Sequence, residues 1–439
     1  MKKLAALFLA VVMLFALVAC GQQAAPAAEA PAAEAPAAEA PAAEPVSGEK
    51  VTLTVTSWFT AENQGQVYMD AWQQAADELG YEIILDATNA EDFKVKEKIQ
   101  MSSGETSDIY TMWSALNHMQ DWVSSGSCIS VDKYIDSADF KFVQAQLNPY
   151  YADGKNYIFP VTTGNPYVLF YNKELVDQLG LEVPKTYEDM LHCIDVCKAA
   201  GLDAFGLPTK DRWMADFLFM AMLDREDPTA WSKIQNGEAK FTDEPYLNTA
   251  KRAQELVKAG AFPEDALNID SASIREMFFA GRFPFFTEGT YRWNALYETM
   301  GDNLGYAPMP MTGSSTAYTE SCMSNTGFGL IISTNCKHPD EAAKLCLKYS
   351  QIIGEDLAKK GRMNIIETDT QPEGEVAPAY QDLLRDLGLV KTKTPAWSDN
   401  FSSEGCSTSY DLAQALFSLA ITPEEYCEQY QALLESEGF

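Results

Sequence analysis

Positive charge is scarce in this chain of 439 residues: 32 lysines and arginines stand against 63 aspartates and glutamates, a formal net charge of −31. That deficit excludes a nucleic-acid partner and a polybasic grip on anionic lipid, because both need clustered cations. Its plain consequence is solubility through self-repulsion, and it does not by itself identify a cationic ligand. Histidine is scarcer still. His118, His192 and His338 lie far apart in sequence, a poor inventory for a zinc centre or a Ser-His-Asp triad. No GxSxG elbow, HExxH helix, Walker A loop or GxGxxG fingerprint is present. No catalytic residue, metal or cofactor is assigned. A glycosidase stays open as an alternative, because it needs only two positioned carboxylates and acidic residues abound.

A disulfide framework is also missing. Eight cysteines follow Cys20: Cys128, Cys193, Cys197, Cys322, Cys336, Cys346, Cys406 and Cys427. Their spacing shows no pattern, and most sit in apolar helical or strand-like runs. Cys193 and Cys197, four apart on a predicted helix, have metal-ligand spacing. They read more simply as buried thiols acting as small apolar residues.

Long apolar runs are lacking after residue 20, which excludes a transmembrane helix there. The first residues differ. Lys2 and Lys3 precede an apolar stretch, Leu4 to Val18, with the charge and length of a secretory signal. The ending Leu17-Val18-Ala19-Cys20-Gly21 resembles the bacterial lipobox. That resemblance implies a signal peptide over 1–19, cleavage before Cys20, and acylation of Cys20 as a membrane anchor. Loss of Lys2 and Lys3 takes the mature chain to −33. Residues 20–49 then form a tether. Ala-Pro-Ala-Ala-Glu recurs from Ala25 to Glu44, and proline every fifth residue prevents a long helix. The expected location is the outer face of the cell membrane.

What remains is long enough for two domains. The β-branched run Val51–Thr56 reads as a strand, followed by a helix over about 66–79 and a strand at 82–86. A helix over 92–102 and a strand over 108–112 continue the alternation. Further strands are expected at 168–171, 283–286 and 328–333. Further helices are expected at 187–200, 246–259, 339–350 and 378–387. Thr422, Pro423 and Glu425 mark the start of a last helix as cap, first residue and capping-box partner. Alternating elements imply an α/β fold with mainly parallel sheets flanked by helices.

The run Tyr151-Ala-Asp-Gly-Lys155-Asn-Tyr-Ile-Phe159-Pro160, with Tyr167-Val-Leu-Phe-Tyr171-Asn172-Lys173 after it, resembles the extracellular solute-binding protein family 1. Its members include maltose-binding protein. Ser107-Asp108-Ile109-Tyr110, Phe278–Tyr291, and Asn325-Thr-Gly327-Phe-Gly329 before Pro339 resemble further family motifs in the expected order. The resemblance implies two lobes joined at a hinge. One comprises 50–164 plus 330–387, the other 165–329 plus 388–439. Crossings fall near Gly164–Pro166, Gly327–Gly329 and Gly388. It also implies a solute-binding protein that hands its ligand to an ABC permease, acts as a monomer, and catalyses nothing.

A carbohydrate site needs aromatic plates and polar side chains that accept or donate to hydroxyls. Trp58 and Trp113 end predicted strands, at the edge where open α/β sheets bind ligands. Asn63 and Asn117 lie in the loops after them. Trp213 opens a helix after a polar loop. Trp397 and Asp399 share a polar loop near the end of the chain. Glu288, Tyr291 and Trp293 form the strongest candidate loop, with Arg292 as a structural partner for Glu288. Asn165 sits at the first crossing. Trp72, Trp122 and Trp231 read as packing residues. A polyamine, held by carboxylates and aromatic faces, is the alternative ligand.

Overall fold

The computed structural model describes residues 50–61, 65–143, 154–310, 321–324, 326–389 and 392–439, and 50–439 form one compact unit. The lipobox, the tether and Asn63 lie outside the described residues.

Two sheets organise the chain. The first has the order β2-β1-β3-β10-β4, from Glu82–Ala87, Thr52–Ser57, Ile109–Trp113, Phe328–Ile332 and Phe159–Pro160. The second has the order β6-β7-β5-β8, from Phe205–Gly206, Phe285–Gly289, Tyr167–Asn172 and Leu304–Ala307. A short parallel pair, β9 (Ser321–Ser324) and β11 (Thr392–Pro395), stands apart from both. The sheets are more mixed than the alternation of elements implies. β1 runs parallel to β2 and β3, but β10 is antiparallel to β3 and β4, and β5 is antiparallel to β7 and β8. The reason lies in the crossings. β10 enters the first sheet from the body built around the second sheet, and β5 enters that second body from the one built around the first sheet. Each therefore arrives from the opposite end.

Local chemistry explains the elements. In β1, Leu53 and Val55 point inward and are fully buried. The helix Gln66–Leu79 buries Ala71, Trp72, Ala75 and Ala76 on one face, at the spacing of successive turns. Trp72 then stacks on Tyr349 of the helix Pro339–Lys359, with centroids 4.1 Å apart. Burying a side chain of that size stabilises by roughly 1.5–3 kcal/mol. The expected capping box of Thr422 with Glu425 forms, and a second joins Thr186 and Asp189.

The crossing near Gly327 is sterically demanding. Gly327 has φ +73°, and a Cβ there would fall 2.5 Å from the Thr162 carbonyl oxygen and 2.6 Å from that of Thr163. The outgoing and returning segments thus lie against each other. β10 begins at Phe328, so the return to the first sheet starts just before the expected boundary at 330. The last crossing also falls earlier than Gly388. Tyr380, Leu383 and Leu387 of the helix Pro378–Leu389 pack with Val168, Phe170 and Phe286 of the second sheet. Their apolar face matches that core, whereas the sequence reading assigned residues up to 387 to the first lobe.

All eight cysteines after Cys20 are buried and free. Burial raises the thiols of Cys193 and Cys197, to about 12 and about 11. Among the described residues no helix is long and apolar enough to cross a membrane.

Candidate functional site

A cleft of about 760 Å³ is lined by residues of both bodies. Its volume falls in the range of small-molecule sites. The first body contributes the carboxyl ends of β1 and β3. These strands are parallel neighbours, with Val55 opposite Ile109 and Thr56 opposite Tyr110. Residues at their ends therefore emerge side by side. Trp58 and Trp113 do so, and they stack on each other. Phe59 lies 3.9 Å from Trp58 by centroids, and His118 lies 4.7 Å from Trp113. The result is a wall of four rings. Burial, then Lys94 and Lys98, push His118 down to about 3, so its imidazole is neutral at physiological pH.

The second body contributes Trp213, Tyr291 and Trp293. Trp213 opens the helix Trp213–Glu226 and meets Phe217 edge-on, with centroids 5.2 Å apart. No ring among the described residues stacks on its faces. Tyr291 and Arg292 follow β7 in a tight turn, and Trp293 begins the helix Trp293–Met300. Trp293 is almost fully buried, packed against Tyr297 and Tyr380, yet it reaches the cleft wall.

Polar groups cross between the bodies. Asn117, on the helix Leu116–Ser124, lines the cleft, and its Nδ2 donates to Cys406 Sγ at 3.1 Å. Ser403 Oγ donates to the Asn117 carbonyl at 2.9 Å. Asn165, at the first crossing, donates to the Thr163 carbonyl at 2.9 Å and also lines the cleft. Asp399 is buried with Oδ2 unpartnered among the described residues. Burial, then nearby Asp216, raise its carboxyl to about 7, against a lowering hydrogen bond from Thr326. Asp216, raised to about 6 by burial, accepts from Ser398 and Ser409 at 2.8 and 2.6 Å.

Two expected residues do not reach the cleft. Glu288 pairs with Val168 inside the second sheet and is fully buried. Its Oε1 accepts from the Gly289 amide at 3.1 Å and from the Tyr291 hydroxyl, so its partner is Tyr291 and not Arg292. The strand extends further than the sequence suggests and keeps Glu288 within it. Trp397 is 2% exposed and packs against Trp231, Phe241 and Tyr430. The turn Trp397–Asn400 sends Asp399 to the cleft and Trp397 into the core.

The sequence reading missed His118, Arg362, Tyr380 and Tyr410, which also line the cleft. Arg362 follows the helix Pro339–Lys359, and its guanidinium carbon lies 4.0 Å from the Tyr380 ring centroid. No local pattern marks it. Among the described residues no group of three or more His, Cys, Asp or Glu is arranged to hold a metal ion. The geometry offers stacking and hydrogen bonding to a solute held between two bodies.

The family model described as bacterial extracellular solute-binding protein matches residues 62–349. Sequence comparison with curated proteins finds no match. Solved structures share the fold. One, described under xylan utilization by the thermophilic bacterium Caldanaerobius polysaccharolyticus, is 24% identical with a TM-score of 0.80, covering 87% of this chain and 99% of that one. A chitin oligosaccharide binding protein is 21% identical with a TM-score of 0.78, covering 89% and 99%. A sugar transporter protein from Bacillus licheniformis, in complex with stachyose, is 16% identical with a TM-score of 0.66, covering 87% and 98%.

Proposed function

Because this chain belongs to the bacterial extracellular solute-binding protein family, we propose that it captures a carbohydrate in the cleft and delivers it to an ABC permease. The observation that carries the reading is Trp213. Its indole faces are unstacked, and it lines the same cleft as the Trp58–Trp113 wall of the other body. Flat sugar C–H faces match such a plate, and Asn117, Asn165 and Asp399 supply hydrogen-bonding groups for the hydroxyls. The ligands of two similar solved structures, a chitin oligosaccharide and stachyose, support the same class.

The protein works as a monomeric binding component and catalyses nothing. The leader motif supports anchoring through acylated Cys20, with the body held off the membrane by the Ala/Pro/Glu tether. Mass spectrometry of the mature amino terminus checks the anchor.

A thermal-shift screen of mono- and oligosaccharides tests the ligand class, since a ligand that binds only the folded state raises the melting temperature. At least one oligosaccharide is expected to do so. A response to spermidine and to no sugar overturns the reading in favour of a polyamine. Release of reducing ends from oligosaccharides by the purified protein overturns it in favour of a glycosidase.

A further inference from the structure

The cleft reverses the charge balance of the chain. Overall, acidic residues outnumber lysines and arginines by 63 to 32. Among the described residues that line the cleft, the cations Lys94, Lys98, Lys210, Arg212, Arg292 and Arg362 outnumber the acids Glu91, Glu97, Asp211 and Asp399. Such a concentration of cations on an anionic protein focuses a positive potential into a concave site.

Some of these cations are already used. Lys94 pairs with Glu91, Lys210 with Asp270 and Arg212 with Asp411. Arg292 and Arg362 are not so used. Neither forms an ion pair among the described residues. Arg362 Nε and Nη1 and Arg292 Nε are buried without a hydrogen-bond partner among those residues. Both arginines are half-buried, and a buried N–H group left without a partner is costly, so a protein seldom keeps one without a use for it. Glu288 and Asp211 act electrostatically on Arg275, and Glu288 Oε2 is buried without a hydrogen-bond partner among the described residues. Glu288 accepts from Tyr291 and Gly289, and Asp211 accepts from the Ser271 amide and hydroxyl at 2.7 and 2.6 Å. A third cation, Arg275, adds to the same field and has Nη1 buried without a partner among the described residues.

The two arginines also sit beside aromatic plates. Arg362 lies over Tyr380 at 4.0 Å and over Trp293 at 5.9 Å, and Arg292 over Tyr291 at 5.2 Å. Stacking fixes a guanidinium plane and leaves its edge N–H groups free to grip an anion bidentately. One end of the cleft thus combines ring faces for a sugar with planar cations for a negative substituent.

We propose that the captured solute is an acidic carbohydrate, a sugar bearing a carboxylate or a sulfate ester, whose anionic group is held by Arg362 and Arg292. The proposal rests on the carbohydrate reading above and narrows its substrate class. It also opposes a polyamine, which the same arginines would repel.

The test is titration calorimetry on the full folded body with matched pairs of ligands. One pair is oligogalacturonates of two to four residues and their methyl esters. A second is sulfated galactan oligosaccharides and their desulfated forms. Expected is at least tenfold tighter binding of the charged member of one pair, with the preference shrinking as salt rises. The pair that responds identifies carboxylate or sulfate. Arg362→Gln is expected to bring the charged-to-neutral affinity ratio close to one, and Arg362→Lys to retain part of it. If Arg362→Gln does not fold, as judged by its melting curve, Arg292→Gln is read in its place. Equal affinity for charged and neutral members overturns the proposal and leaves the carbohydrate reading standing. An intact preference in both arginine variants also overturns it. If no saccharide of either kind binds, the carbohydrate reading itself falls and takes this inference with it.

Discussion

Trp58 and Trp113 stack with centroids 4.6 Å apart and planes 8° from parallel, at the ends of two neighbouring parallel strands. The strand register places both indoles at one edge of the first sheet. Their contact holds one wall of the cleft rigid. A stacked pair of this kind contributes about 0.5–1.5 kcal/mol beyond the area it buries. A double-mutant cycle of Trp58→Ala and Trp113→Ala, read by urea unfolding, is expected to show a coupling of about 1 kcal/mol. Trp113→Ala should also weaken oligosaccharide binding about tenfold, a loss of roughly 1.4 kcal/mol. Strictly additive effects would mean that the stack does not hold the wall.

Trp213 and Trp397 are expected to separate binding from stability. Trp213→Ala should weaken ligand affinity about tenfold or more with less than about 1 kcal/mol lost in stability, because it is only partly buried against the core and no described ring stacks on its faces. Trp397→Ala empties a site among Trp231, Phe241 and Tyr430 and should cost about 3–5 kcal/mol. Calorimetric affinity and denaturant midpoints measured on both variants check this. An unchanged affinity in Trp213→Ala would remove that residue from the site.

Asp399 makes stability depend on pH with a defined sign. Its carboxyl is raised from 3.8 to about 7 by burial and by Asp216. A raised acid binds its proton more tightly in the folded chain than in the unfolded one. The folded state is therefore favoured below the unfolded pKa, and that advantage is lost as pH climbs from about 4 to about 7. Asp399→Asn should be little more stable than the parent at pH 4.5. Its advantage should grow toward pH 8, to at most about 4 kcal/mol at 1.36 kcal/mol per pKa unit. Urea melts at the two pH values decide it. A difference that does not change with pH would contradict the placement of this carboxyl.

Gly327 and Gly80 both have positive φ, but only Gly327 faces another backbone. Gly80→Ala should cost only the left-handed penalty, about 1–2 kcal/mol. Gly327→Ala adds a clash with the Thr162 and Thr163 carbonyls and should cost at least about 1 kcal/mol more, with altered ligand affinity because the crossing must distort. Matched melting curves and titrations compare the two. Equal losses would show that the close approach is relaxed at little cost.

Much of the fold is legible in the chain because its signals are local. The helix expected at 66–79 is observed at Gln66–Leu79, and the cap at Thr422 forms as its neighbours dictate. Periodic burial and capping need only residues a few positions apart, so one segment suffices to read them. The candidate site is different. Trp58, Trp113 and Trp213 could be suspected from their places at strand ends and at a helix start, and all three line the cleft. Trp397 and Asp399 sit two residues apart in one polar loop, and nothing in that loop says which of them turns inward. His118 and Arg362 carry no local mark. They become part of the site only because the helix that holds His118, and the turn after Pro339–Lys359 that holds Arg362, are brought against elements far away in sequence. Composition and element order were thus determined by the sequence alone. The charge of the cleft, opposite to that of the chain, was decided by tertiary structure, because a binding surface depends on which few side chains packing leaves facing a shared space.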